Sequence, residues 1–118
     1  MRPKNELGKM GERLAEQYMC ERGYEILFRN WRYSHYELDL VAVKDEKIHF
    51  IEVKTRRTTE FGLPEQAVGE IKISRLLKAG EAFLYEHPYW KKVQFDVLAI
   101  SMLPDAEIEY FLIEDVYF

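Results

Sequence analysis

Residues 36–57, YELDLVAVKDEKIHFIEVKTRR, read as two apolar strands joined by a charged turn, with Glu37, Asp39, Glu52 and Lys54 set among the hydrophobic positions. A turn centred on Asp45 and Glu46 fixes the antiparallel register. Val43 then faces Ile48, Val41 faces Phe50, Asp39 faces Glu52 and Glu37 faces Lys54. All lie on one side of the hairpin, because strand side chains alternate with a period of two. Directly opposed residues have Cβ atoms about 4.5–5.5 Å apart, a separation at which two like charges destabilise the pair.

A divalent cation resolves the conflict between Asp39 and Glu52. Mg²⁺ or Mn²⁺ takes a few carboxylate oxygens and keeps positions for water and substrate phosphates. Lys54, on the same face as Glu52, then lies within reach of a bound phosphate. A metal beside an ammonium suits phosphodiester hydrolysis, since the metal activates water and the lysine orients it or stabilises charge on phosphorus oxygens. A plainer arrangement competes, with Glu37 and Lys54 as a cross-strand salt bridge and Asp39 and Glu52 on a wet face. Val41, Val43, Ile48 and Phe50 weigh against it, because they direct the same face into a core where unpaired carboxylates are costly.

Around the hairpin, Leu7, Met10, Gly11, Leu14, Ala15 and Tyr18 recur at helical spacing, predicting a helix from Asn5 to Arg22 ended by Gly23. Residues 24–32 alternate as a strand. A polar stretch leads to Pro64, which suits a helix start, and a second helix is expected from Pro64 to Glu86. Strands are expected at 93–101 and 108–118, giving the order α-β-β-β-α-β-β in one domain over residues 1–118. The fold class is α/β, a mixed sheet flanked by helices.

No apolar run is long enough to span a bilayer and the N-terminus lacks a signal-peptide core, so no membrane is expected and the cytoplasm is the expected compartment. Cys20 is the single cysteine, which excludes an internal disulfide. A formal net charge of -4 makes any polyanion site a local one. Candidates for it are Arg56 and Arg57 beyond Lys54, the helix-two residues Lys72, Arg75 and Lys78, and Arg29 and Arg32, with Trp31 or Tyr33 as a stacking surface. A solvated helix face is the competing account of Lys72, Arg75 and Lys78. Gln66 would meet substrate or a metal-bound water, or else solvent. Asp96 is read as structural, and His35, His49 and His87 have no metal-site spacing.

The set LGKMGERLAEQYMCERGYEILFRNWR, ELDLVAVKDEKIHFIEVKTR, FGLPEQAV and VQFDVLAI, together with a basic helix, resembles the YraN family of small bacterial proteins over nearly the whole chain. That family is similar to the PD-(D/E)XK nucleases, whose restriction-endonuclease-like fold also serves Holliday-junction resolvases. The resemblance implies Asp39 and Glu52 as metal ligands, Lys54 as the lysine of the EXK element, the Val53 carbonyl as a further ligand, and Glu12 directed at the same metal. It implies DNA as substrate, with branched or repair intermediates as the class. A nucleic-acid-binding or repair-partner-binding module that does not cut is the alternative. Tyr36 stands where the family usually has glycine; a tyrosine there narrows access or stacks on a base. The C-terminal stretch EYFLIEDVYF offers an edge through which two chains would pair as a homodimer.

Overall fold

A computed structural model describes residues 5–57 and 73–116. Helix α1 spans Glu6–Glu21, and the Asn5 side chain caps it by accepting from the Gly8 N–H at 2.7 Å. It ends at Gly23, whose φ of 89° suits a residue without Cβ. There the Gly23 N–H donates to the Cys20 carbonyl at 3.0 Å and the Tyr24 N–H to the Met19 carbonyl at 3.1 Å. These two bonds satisfy carbonyls the helix itself leaves open.

The strands are β1 (Glu25–Tyr33), β2 (Tyr36–Lys44), β3 (Lys47–Arg56), β4 (Val93–Ser101) and β5 (Glu109–Ile113), with helix α2 (Ile73–Glu86) between β3 and β4. They form one sheet in the order β1-β2-β3-β4-β5, antiparallel except for the parallel β3–β4 pair. The α/β class and the order α-β-β-β-α-β-β are therefore as the sequence predicts. The expected helix start at Pro64 lies outside the described residues.

Both sheet faces are covered, which explains the buried runs in β2, β3 and β4. Ala15 and Met19 of α1 pack on Leu40, Ala42, Ile51, Leu98 and Ile100. On the other face Leu76, Ala79 and Phe83 of α2 pack on Val41, Ile48, Phe50, Phe95, Val97 and Ala99. Strand β5 is shorter than expected because Asp115, with a φ of 55°, leaves the ladder. Its N–H donates to Asp96 Oδ1 at 2.9 Å, and the next N–H, of Val116, donates to the Phe95 carbonyl at 2.8 Å.

The hairpin register agrees with the sequence where the ladder exists: Val43 pairs with Ile48, Val41 with Phe50 and Leu40 with Ile51. Asp45 and Glu46 have φ values of 53° and 63°, the doubly left-handed turn that matches strand twist. Beyond Leu40 the expected rungs from Asp39 to Glu52 and from Glu37 to Lys54 are absent from the ladder. The cause lies in β1 and β2. Arg29 pairs with Leu40 and Trp31 with Leu38, so Asn30 stands opposite Asp39. Trp31 and Leu38 join the α2-side core, whereas Arg29 and Leu40 face the α1 side although each is only two residues away. Both strands thus lose their alternation at the same rung. Asn30, with a φ of 51°, is the residue in left-handed backbone there. Strand β3 keeps its alternation, with Phe50 on the α2 side and Ile51 and Val53 on the α1 side, so β2 and β3 separate at this point.

Candidate metal and nucleic-acid site

Where β2 leaves β3, the Val53 N–H loses a main-chain acceptor on β2. Asp39 replaces it: its Oδ2 accepts from that N–H at 2.8 Å. Asp39 as a whole is only 7% exposed. It is thereby tied to the middle residue of the Glu52-Val53-Lys54 tripeptide. Glu52 and Lys54 are half-buried and alternate with Ile51 and Val53, so both project on the face to which Phe50 belongs.

The shared face expected for Asp39 with Val41 and Val43 is corrected here. Asp39 borders a cleft of about 210 Å³ beneath α1, lined by Lys9, Glu12, Arg13, Glu16, Arg29, Asn30 and Leu40 as well, while its Oδ2 reaches across the β2–β3 gap to the Val53 N–H. The irregular rung causes this, because it places Asp39 and Leu40, adjacent in sequence, on one side. Glu37 likewise departs from its expected partner Lys54: it lies opposite Arg32 and pairs with it at 3.4 Å.

Two carboxylates one turn apart on α1 meet two consecutive side chains of β1. Arg29 grips Glu16 through Nε and Nη2, and Asn30 Nδ2 donates to Glu12 Oε1 at 3.2 Å. The Arg29 hydrogen bonds, reinforced by its charge, hold the Glu16 carboxyl below its ordinary range. Sequence reasoning passes over Glu16 and Asn30. The signal for Asn30 is its residue type, since asparagine tolerates left-handed backbone where most residues do not.

The remaining candidates are more dispersed. Arg56 is half-buried and Arg57 exposed at the end of β3, while Arg75 and Lys78 are exposed on α2. Lys72 and Gln66 lie outside the described residues. Trp31 is half-buried, its ring edge-on to Phe83 at 5.2 Å and nearly parallel to Tyr33 at 6.3 Å, so much of its surface serves packing. Tyr33, 44% exposed, offers the more open ring. Tyr36 packs against the α2-side core with His35 4.3 Å from its ring, not against the α1 cleft.

At the other end of the sheet, Asp96 is fully buried. It holds His49 Nδ1 at 2.8 Å through Oδ2 and accepts from Gln94 and the Asp115 N–H through Oδ1. Its structural assignment therefore stands.

By type, the Asp39 and Glu52 carboxylates and the Val53 carbonyl are donors that a hard cation such as Mg²⁺ takes, but Glu52 projects on the α2-side face and does not line the α1 cleft. Among the described residues no three His, Cys, Asp or Glu side chains are grouped as a metal-ligand set. Glu12, which lines the same cleft as Asp39, does not complete such a triad with Asp39 and Glu52. No helix among the described residues is long and apolar enough to cross a membrane.

The profile of the uncharacterised protein family UPF0102 matches residues 11–100. The chain is 50% identical over 96 residues to a UPF0102 protein of Syntrophomonas wolfei, covering 80% of this chain and 84% of that one. It is 45% identical over 96 residues to one from Bacteroides thetaiotaomicron, covering 81% and 79%. A UPF0102 protein of Dictyoglomus thermophilum is 38% identical over 104 residues, covering 87% and 88%.

Proposed function

We propose, from the premise that this chain belongs to the UPF0102 family, that it is a metal-dependent nuclease hydrolysing DNA phosphodiester bonds, with branched or repair intermediates as its substrate class. The observation that carries this reading is the 2.8 Å hydrogen bond from the Val53 N–H to Asp39 Oδ2. It joins Asp39 of β2 to the Glu52-Val53-Lys54 element of β3.

Asp39, Glu52 and the Val53 carbonyl would hold Mg²⁺ or Mn²⁺. When bound, the cation supplies Lewis-acid polarisation of a phosphoryl oxygen and a lowered pKa for attacking water. Lys54 places an ammonium next to the scissile phosphate, where it stabilises charge developing on the non-bridging oxygens. Asp39 is fixed by the sheet itself, so its orientation needs no reorganisation when substrate arrives. Arg56, Arg57, Arg75 and Lys72 supply backbone phosphate contacts.

The test is cleavage of duplex, nicked, flapped and four-way DNA in Mg²⁺ or Mn²⁺ by wild type, Asp39→Asn, Glu52→Gln and Lys54→Met. Wild type is expected to cut at least one branched substrate, with each variant slowed about a hundredfold or more. Equal rates in the variants, or no cutting on the whole panel, refute the activity. A second reading, a module that binds nucleic acid or a repair partner without cutting, draws on the lack of a three-carboxylate group among the described residues. Salt-dependent binding without turnover favours that one.

A further inference from the structure

In a regular strand, consecutive side chains point to opposite faces. Arg29 and Asn30 break this rule, since both reach α1: Arg29 binds Glu16 and Asn30 donates to Glu12 at 3.2 Å. On the facing strand, Asp39 and Leu40 break it too, and both line the cleft that Glu12 lines from above. The two breaks fall at one rung, since the pairs on either side are Arg29 with Leu40 and Trp31 with Leu38. At that rung Asn30 takes a φ of 51°, a conformation that asparagine adopts more readily than β-branched or bulky residues.

We infer that Asn30 is a positioning residue with two actions: its left-handed backbone turns the β1–β2 rung so that Asp39 borders the α1 cleft, and its amide aims Glu12 into the same cleft. The inference rests on the proposed cation site and makes Glu12 its outer partner, held in place by the Asn30 amide. Glu12 then adds its charge to the cation site without completing a ligand triad. Outer partners of this kind typically govern about 10–100-fold in metal affinity.

Two substitutions separate the two actions. Asn30→Gly keeps the left-handed backbone and removes the amide. Asn30→Val disfavours that backbone and so acts on Asp39 as well. Mn²⁺ is titrated calorimetrically into the full chain for wild type, Asn30→Gly, Asn30→Val, Glu12→Gln and the Asn30→Gly/Glu12→Gln double variant, with circular dichroism and thermal midpoints recorded for each.

Asn30→Gly is expected to weaken Mn²⁺ binding by about tenfold, and to add nothing in the Glu12→Gln background because its effect runs through Glu12. Asn30→Val is expected to weaken it further. Unchanged affinity in Asn30→Gly, or an equal loss in both backgrounds, overturns the role of Asn30 while leaving the cation site standing. Absence of Mn²⁺ binding by folded wild type overturns the cation site and this inference together. A merely structural Asn30 would lower the thermal midpoint without the dependence on Glu12.

Discussion

Asp39 combines two duties that are hard to separate by deletion. Removing its side chain strands the Val53 N–H, at a cost of about 1–3 kcal/mol for a buried unsatisfied donor, so Asp39→Ala mixes stability with function. Asp39→Asn keeps an acceptor oxygen for that N–H and removes the charge. Tyr24 shows a different residue-level effect. Burial, with the Asp96 charge next in importance, pushes its phenol up to about 12 from the ordinary 10.0. Because the folded-state value is raised, the folded chain retains a proton that the unfolded chain loses, so stability is intact below pH about 10. That stability is lost as pH rises through about 12. Denaturant midpoints measured between pH 9 and pH 11.5 are expected to fall in wild type and to fall less in Tyr24→Phe. Parallel curves would refute the assignment.

Helix α1 approaches β3 closely at Gly11, where an added Cβ would clash with Thr55 Cγ2. The neighbouring residue is Glu12, so the same contact sets how far the helix carboxylate stands above the cleft. Gly11→Ala is expected to destabilise by about 1–3 kcal/mol, the usual cost of overpacking, and to weaken Mn²⁺ binding as the helix lifts. A thermal midpoint and affinity unchanged from wild type would contradict this. At this scale much was legible in the sequence. The Asn5 cap, the Gly23 stop, β4 at 93–101 and the Asp45-Glu46 turn all rest on local chemistry, namely capping, positive φ and alternation. What escaped was the loss of alternation at Asn30 and Asp39. A period-two reading assumes that a strand keeps its pleat, and this break is a joint property of two strands separated from the regular β3 by one end of a ladder.

Among the described residues, a sheet covered on both faces leaves its irregular rung and its ends for chemistry. The two helices seal opposite faces, Asp96 closes one end of the sheet around His49, and the separation of β2 from β3 opens the gap that Asp39 fills. In the sequence, carboxylates next to apolar strand positions conflict with burial, and that conflict singles out Asp39 and Glu52 as candidates. Their faces differ from the expected ones, since the register that unites Asp39 and Glu52 ends one rung too early. Asp39 meets the β3 element through a backbone N–H instead. Whether this side-chain-to-strand junction binds a cation is decided by calorimetric titration of Mn²⁺ into wild type and Asp39→Asn. Wild type is expected to bind one equivalent per chain and the folded Asp39→Asn variant to lose that binding. Equal binding by the two proteins, or none by either, would contradict the proposed cation site.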